Sequence, residues 1–204
     1  IEEDHLVSDN YTGSIKRCFE NGDLKAKGSY VDGKQEGEWL FYRKRKYPDE
    51  TLLWKKGSYV NGIQVGEWTT YKRDLLEEKG TYVNDKREGE WQFYRRGLLA
   101  EKGKYVNNKR EGEWVIYLEE QWIILTGTYV NDKREGEWVR TDVYGPVIVK
   151  SHYVEGVLEG EYISYHHRNE QIEKKGGYMN GEKVGAWVWY YKNGLLEKKG
   201  NFVF

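Results

Sequence analysis

The chain has 204 residues, and 33 Lys/Arg against 34 Asp/Glu leave a formal net charge of −1. That balance argues against a dedicated nucleic-acid binder, because phosphate contacts need a surplus of positive charge on one face. The single cysteine, Cys18, excludes an internal disulfide framework and any cysteine-based metal site, and no stretch approaches the roughly 20 apolar residues of a membrane-spanning helix.

Aromatic residues make up 16 %, with nine Trp and eighteen Tyr, beside 24 Gly. With so few aliphatic residues, apolar burial must come from large rings packed over glycines in a thin structure. The first residue is Ile1 rather than Met, so removal of something upstream is expected, by a signal peptidase or by trimming of the expressed chain, and a processed periplasmic or cell-surface location is expected over a cytoplasmic one.

Residues 1–12 are polar and read as an N-terminal tail or cap. From Gly13 the chain repeats itself. Gly13 to Gly28 matches the second half of a unit and aligns without a gap on Gly185 to Gly200. New units then open at Gly28, Gly57, Gly80, Gly103, Gly127, Ser151, Gly176 and Gly200, most of them 23–25 residues apart. So regular a period marks an array of supersecondary units stacked on their neighbours.

Four columns run through the array. The third place of each unit is aromatic (Tyr30, Tyr59, Tyr82, Tyr105, Tyr129, Tyr153, Tyr178, Phe202) and the tenth is glycine (Gly37, Gly66, Gly89, Gly112, Gly136, Gly160, Gly185). The twelfth is Trp39, Trp68, Trp91, Trp114, Trp138, Tyr162 and Trp187, and the fifteenth is Tyr42, Tyr71, Tyr94, Tyr117, Thr141, Tyr165 and Tyr190. Glu90 to Tyr94 and Leu99 to Val106 read as two short strands. Turn signals separate them within a unit (Asn21-Gly22, Asp74, Arg96-Gly97, Asn193-Gly194) and between units (Asp32-Gly33, Asn61-Gly62, Asn84-Asp85, Asn107-Asn108, Asn131-Asp132, Asn180-Gly181). No apolar pattern has a helical period. The expected fold is all-β: an elongated, single-layer antiparallel β-meander of stacked hairpins over residues 13–204, about 70 Å long if some 15 strands lie about 4.8 Å apart.

A glycine inside a strand weakens a sheet unless packing requires it. Both glycine columns are therefore expected to leave slots for a ring from the next strand. The odd spacing of Trp and Tyr puts their columns on opposite faces, each partly buried.

The pattern Asn-Gly-Lys-x-x-Gly-Glu-Trp-x-x-Tyr, with Gly-x-Tyr opening the next unit, resembles MORN (membrane occupation and recognition nexus) repeats, most closely the bacterial variant often named as an antitoxin family. Residues 13–204 carry the resemblance, with departures at Thr141, Ser151, Tyr162 and Ala186. It implies a stack of β-hairpins used for protein or lipid contact, with no chemistry and no cofactor; an immunity-type neutraliser of a toxin or effector falls within it.

Catalysis finds little footing. The glutamates of place eleven (Glu38, Glu67, Glu90, Glu113, Glu137, Glu161) stand two strands apart, about 10 Å, too far for a retaining glycosidase pair. They are expected to form a salt ladder with Lys56, Lys79, Lys102, Lys175 and Lys199. The histidines His5, His152, His166 and His167 show no metal-ligand spacing.

Three segments break the register. Arg43 to Trp54 inserts about six residues and holds the basic run Arg43-Lys44-Arg45-Lys46. Leu118 to Thr126 and Val143 to Val149 replace polar strands with apolar ones. These last two either pack on each other or form an exposed patch. As a patch they nominate Trp122, Ile124, Tyr144, Val147 and Val149 as a protein-partner site. Two alternatives remain: phospholipid contact through the basic turn row (Lys34, Lys86, Arg87, Lys109, Arg110, Lys133, Arg134), and a glycan platform of exposed rings.

Overall fold

A computed structural model describes residues 10–45, 50–118, 122–167 and 170–203. His5, most of the expected N-terminal tail, Lys46 of the basic run and residues 119–121 of the first apolar segment lie outside the described residues. The described residues form strands without a helix, joined in a 16-stranded antiparallel sheet whose order follows the chain. This is the expected hairpin meander. It divides into two compact units, residues 1–99 with 105–108, and residues 100–104 with 109–204.

The first unit carries β1 (Gly13–Cys18), β2 (Leu24–Val31), β3 (Lys34–Arg45), β4 (Glu50–Val60), β5 (Ile63–Lys72), β6 (Leu75–Val83) and β7 (Lys86–Arg95). The second carries β9 (Lys109–Leu118), β10 (Ile123–Val130), β11 (Lys133–Asp142), β12 (Val147–Val154), β13 (Val157–Tyr165), β14 (Ile172–Met179), β15 (Glu182–Tyr190) and β16 (Leu196–Phe202). Residues of β8 (Leu98–Val106) belong to both.

The turns between copies form as their sequences dictate. Asn61-Gly62 and Asn107-Asn108 hold φ of 52° and 81°, and of 50° and 68°, the double positive φ of a type I′ turn. Each turn is also tied to the one before it. The Gly62 N–H donates to Gln35 O at 2.9 Å, and Asn108 N–H to Arg87 O at 3.1 Å. At the start of the array Tyr11 takes that role, its carbonyl accepting from Gly33 N–H at 2.9 Å while Thr12 Oγ1 accepts from Asp32 N–H at 3.0 Å.

A second tether comes from the glutamate at place nine, which the columns above do not include. Glu36 accepts from Asn61 N–H at 2.8 Å, Glu88 from Asn107 N–H at 3.0 Å, Glu111 from Asn131 N–H at 2.8 Å, and Glu159 from Asn180 N–H at 2.7 Å. A carboxylate thus satisfies a turn donor with a charge-assisted bond. The place-eleven ladder is corrected accordingly. Strand register sets Ser58 opposite Glu38 and Thr81 opposite Glu67, so the lysines fall on the diagonal. Among the described residues one rung forms, Lys150 to Glu137 at 4.0 Å.

The two glycine columns do different work. A Cβ at Gly80 or Gly103 would overlap the indole of Trp91 or Trp114, so the first-place glycines are the ring slots. The tenth-place glycines are not: Gly89 and Gly112 have φ of 70° and 67° and no heavy atom that a Cβ would meet. The register shifts beside them, as between Gly80 and Thr81 on the partner strand, identify a β-bulge that needs a left-handed residue. The expectation of two ring slots per unit is corrected to one slot and one bulge.

Within a slot, burial is complete rather than partial. Trp39, Trp68, Trp91, Trp114, Trp138 and Trp187 are at most 1 % exposed. Trp91 meets Tyr82 edge-on at 5.1 Å, Phe93 stacked at 6.0 Å and Tyr105 edge-on at 6.1 Å, and its Nε1–H donates to Thr81 O at 3.2 Å. A cation lies over the ring in several of these pockets: Arg87 over Trp91, Arg134 over Trp138 and Lys183 over Trp187, all at 4.5 Å. Such a lid contributes up to about 2 kcal/mol when desolvated. A sheet without a second layer therefore assembles its core along one face.

Candidate functional site

The ring spine commits most of the conspicuous residues to structure. Arg87, Arg110 and Arg134 of the basic turn row lie over rings, Arg87 held also by Glu78 at 2.8 Å. Burial works against the charge of Arg87, but its hydrogen bond with Tyr82 and the nearby Glu78 outweigh it and raise its pKa. Lys86 and Lys109 donate to Asn107 and Asn131 Oδ1 at 3.2 and 3.1 Å, and Lys133 pairs with Glu155. Lys55, over Trp68 at 4.5 Å, is pushed below the ordinary lysine value by burial, with Glu78 opposing.

The Tyr column stands on the other face. Tyr94 donates to Gln92 Oε1 at 2.7 Å, whereas Phe93 packs on Trp91. Across β9 and β10 the register confirms the division. Trp114, Ile116 and the following Leu118 pair with Gly127, Leu125 and Ile123, and Tyr117 pairs with Ile124.

Among the described residues Trp122, Tyr144 and Tyr191 are the most exposed rings, and the first two meet each other. Trp122 is 57 % exposed and Tyr144 is 75 % exposed, and their centroids lie 6.1 Å apart, tilted by 44°. Their meeting has a backbone cause. In a regular unit the strands of successive hairpins stop pairing at the level of Glu78 and Phe93. Between β10 and β11 the ladder instead continues through Leu125–Arg140 and Ile124–Thr141 to Ile123–Asp142. One further bond, Val143 N–H to Trp122 O at 3.0 Å, then joins the two hairpin tips. Ile123 is buried by this zippering, so part of the apolar segment is core.

Asp142 organises the tip. Its Oδ1 accepts from Tyr144 N–H at 2.9 Å, and its backbone N–H and C=O bond to Pro146 O and Gly145 N–H, each at 2.9 Å. Its Oδ2 lies 3.2 Å from His167 Nε2, a side chain of the next tip in this unit that is more than half exposed. Neither Asp142 nor His167 was nominated from the sequence. An Asp followed three residues later by Gly-Pro is the available turn signal, since Asp favours the first position of a tight turn.

The five nominated residues do not form one surface. Trp122 and Tyr144 come together in the open. Val149 is half-buried on the Trp138 face, in the alternation that sets Ser151 opposite Trp138 and Val149 opposite Arg140, whereas a register shift then sets the half-buried Val147 opposite Thr141. Ile124 lies on the other face, between Tyr117 and Thr141. The candidate site is accordingly the paired tip Trp122–Tyr144, with Val143 and His167 at its border. The adjacent pair His166-His167 diverges, His166 Nε2 reaching Tyr190 O at 2.7 Å. Among the described residues no cluster of His, Cys, Asp or Glu could hold a metal ion. A scan against protein-family models finds no match to this chain, and a search of curated proteins finds none either.

Proposed function

We propose that this chain is a MORN-type hairpin scaffold that acts without chemistry of its own, binding a protein partner at the Trp122–Tyr144 tip. The observation that carries the reading is the contrast between these rings and the spine. Six tryptophans of the repeat are at most 1 % exposed, while Trp122 and its neighbour Tyr144 are held in water by a tip-to-tip backbone bond and by Asp142. Aromatic anchors fixed before contact lose little rotamer freedom on binding, which is the usual basis of an interface hot spot. Neutralisation of a specific toxin or effector is the sharper form of the proposal, since it needs a rigid, partner-specific surface and nothing catalytic.

The test is capture of partners from a lysate of the source, followed by affinity measurement on the purified pair. Trp122→Ala with Tyr144→Ala is expected to weaken the complex by at least about 2 kcal/mol, the usual hot-spot threshold, with the melting temperature nearly unchanged. A double variant that binds the same partner with native affinity rejects this site. An unfolded double variant would show that the rings are core after all.

A further inference from the structure

The basic insert of the first unit forms a cleft that the ring spine does not use. Pairing of β4 with β5 ends at Lys55–Thr70, whereas β3 and β4 run on together to Arg45–Glu50. The longer hairpin and the β5–β6 tip therefore part, leaving an open cleft of about 170 Å³. Leu52, Leu53, Trp54 and Tyr71 give it an apolar floor, and five cations line its walls, Arg43, Lys44, Arg45, Lys72 and Arg73.

Some of these cations are already engaged. Arg45 pairs with Glu50 at 3.1 Å and Lys72 with Glu77 at 3.5 Å, and Lys44 sits in the field of Asp23. Arg43 and Arg73 pair with no carboxylate among the described residues. The Arg43 guanidinium instead lies 4.0 Å over the Trp54 ring. A guanidinium over a ring keeps its charge and its planar fork of N–H donors, which can grip a carboxylate with two parallel bonds.

We propose that this cleft docks an acidic segment of a partner protein, carboxylates on Arg43 and Arg73 and an intervening apolar side chain on the Leu52–Trp54 floor. A polyphosphate chain fits less well. Its closely spaced charges need adjacent free cations, and Glu50 and Glu77 already pair with Arg45 and Lys72, whereas a peptide can place its carboxylates apart. The site shares no residue with the aromatic tip and does not depend on it.

The experiment is fluorescence polarisation of the whole chain with a fluorescein-labelled peptide of Glu-Leu-Glu-Tyr repeats. Arg43→Glu with Arg73→Glu is expected to weaken binding about tenfold or more, equivalent to 1.4 kcal/mol or above. Arg43→Lys, which keeps the charge but loses the planar fork, is expected to weaken it several-fold. Lys86→Glu with Lys109→Glu, the same charge change on the turn row, should leave it unaltered. Equal loss in this last variant would reduce the effect to net charge, and absence of peptide binding would remove the site. Tighter binding of inorganic phosphate, single-stranded RNA or phosphatidylserine vesicles, lost in the Arg43 and Arg73 variant, would overturn the acidic-peptide assignment. If the double reversal does not fold, the Arg43→Lys result decides.

Discussion

At Gly103 and Gly112 two glycines nine residues apart are required for unrelated reasons. The first makes room for Trp114, whose Nε1–H reaches past it to Lys104 O at 3.3 Å; the second supplies a φ of 67° in open space. Sequence columns record that both are glycine and cannot say which property is used, because overlap with an indole and a left-handed backbone both exclude a Cβ. The chain carries its own exception. Ser151 stands in a slot position, and its register partner is Tyr162, the one place where the Trp column holds a smaller ring. Gly103→Ser is thus expected to destabilise the protein by about 1–3 kcal/mol through overpacking. Adding Trp114→Tyr should recover part of that loss. Gly112→Ala should cost about 1–2 kcal/mol from the left-handed backbone alone, with no rescue by Trp114→Tyr. Urea unfolding of the four variants reads both effects, and rescue of Gly112→Ala by the smaller ring would refute the division of roles.

Hairpin elements were legible where local chemistry decides them. Asn-Gly, Asn-Asn and Asn-Asp pairs between runs of strand formers fix the turns, and the positive φ at both central residues follows. What was not legible is how one hairpin holds the next, because that depends on which side chains the register brings together. Glu111 and Glu113 look equivalent in sequence, yet Glu111 caps the Asn131 N–H while Glu113 pairs in register with Thr128 on the opposite strand. Register also explains the candidate site. Ile123, Ile124 and Leu125 extend the β10–β11 ladder, so the apolar run expected to form the patch mostly builds the support that brings Trp122 to Tyr144. The tether predicts that Glu111→Ala costs about 0.5–1.5 kcal/mol, the net worth of one hydrogen bond, and exposes the Asn131 amide to faster hydrogen exchange. Glu113→Ala should leave that amide protected. Equal exchange in both variants would show that the turn is held by its backbone bond to Arg110 O alone.

For the molecule as a whole, the consequence of this construction is that energy is spent between neighbours. The buried Trp residues meet rings of adjacent strands, as Trp114 and Trp138 do with Tyr129, and successive turns bond to one another, as Asp132 N–H does to Arg110 O at 3.1 Å. Stability should then be a sum over units and their interfaces, with no single core whose loss unfolds everything. Gly127→Val provides the test, since its side chain would occupy the space of the Trp138 indole. An overpacking cost of about 1–3 kcal/mol should appear as lost hydrogen-exchange protection in β10, β11 and β12. Amides of β2 and β3 around Trp39 should keep theirs. Protection lost evenly along the chain would instead mean one cooperative fold, and a lesion at any unit would then weaken both proposed docking sites at once. Retained protection around Trp39 would mean that the Trp122–Tyr144 tip and the Arg43–Arg73 cleft can be altered separately, which a scaffold with two independent contact surfaces requires.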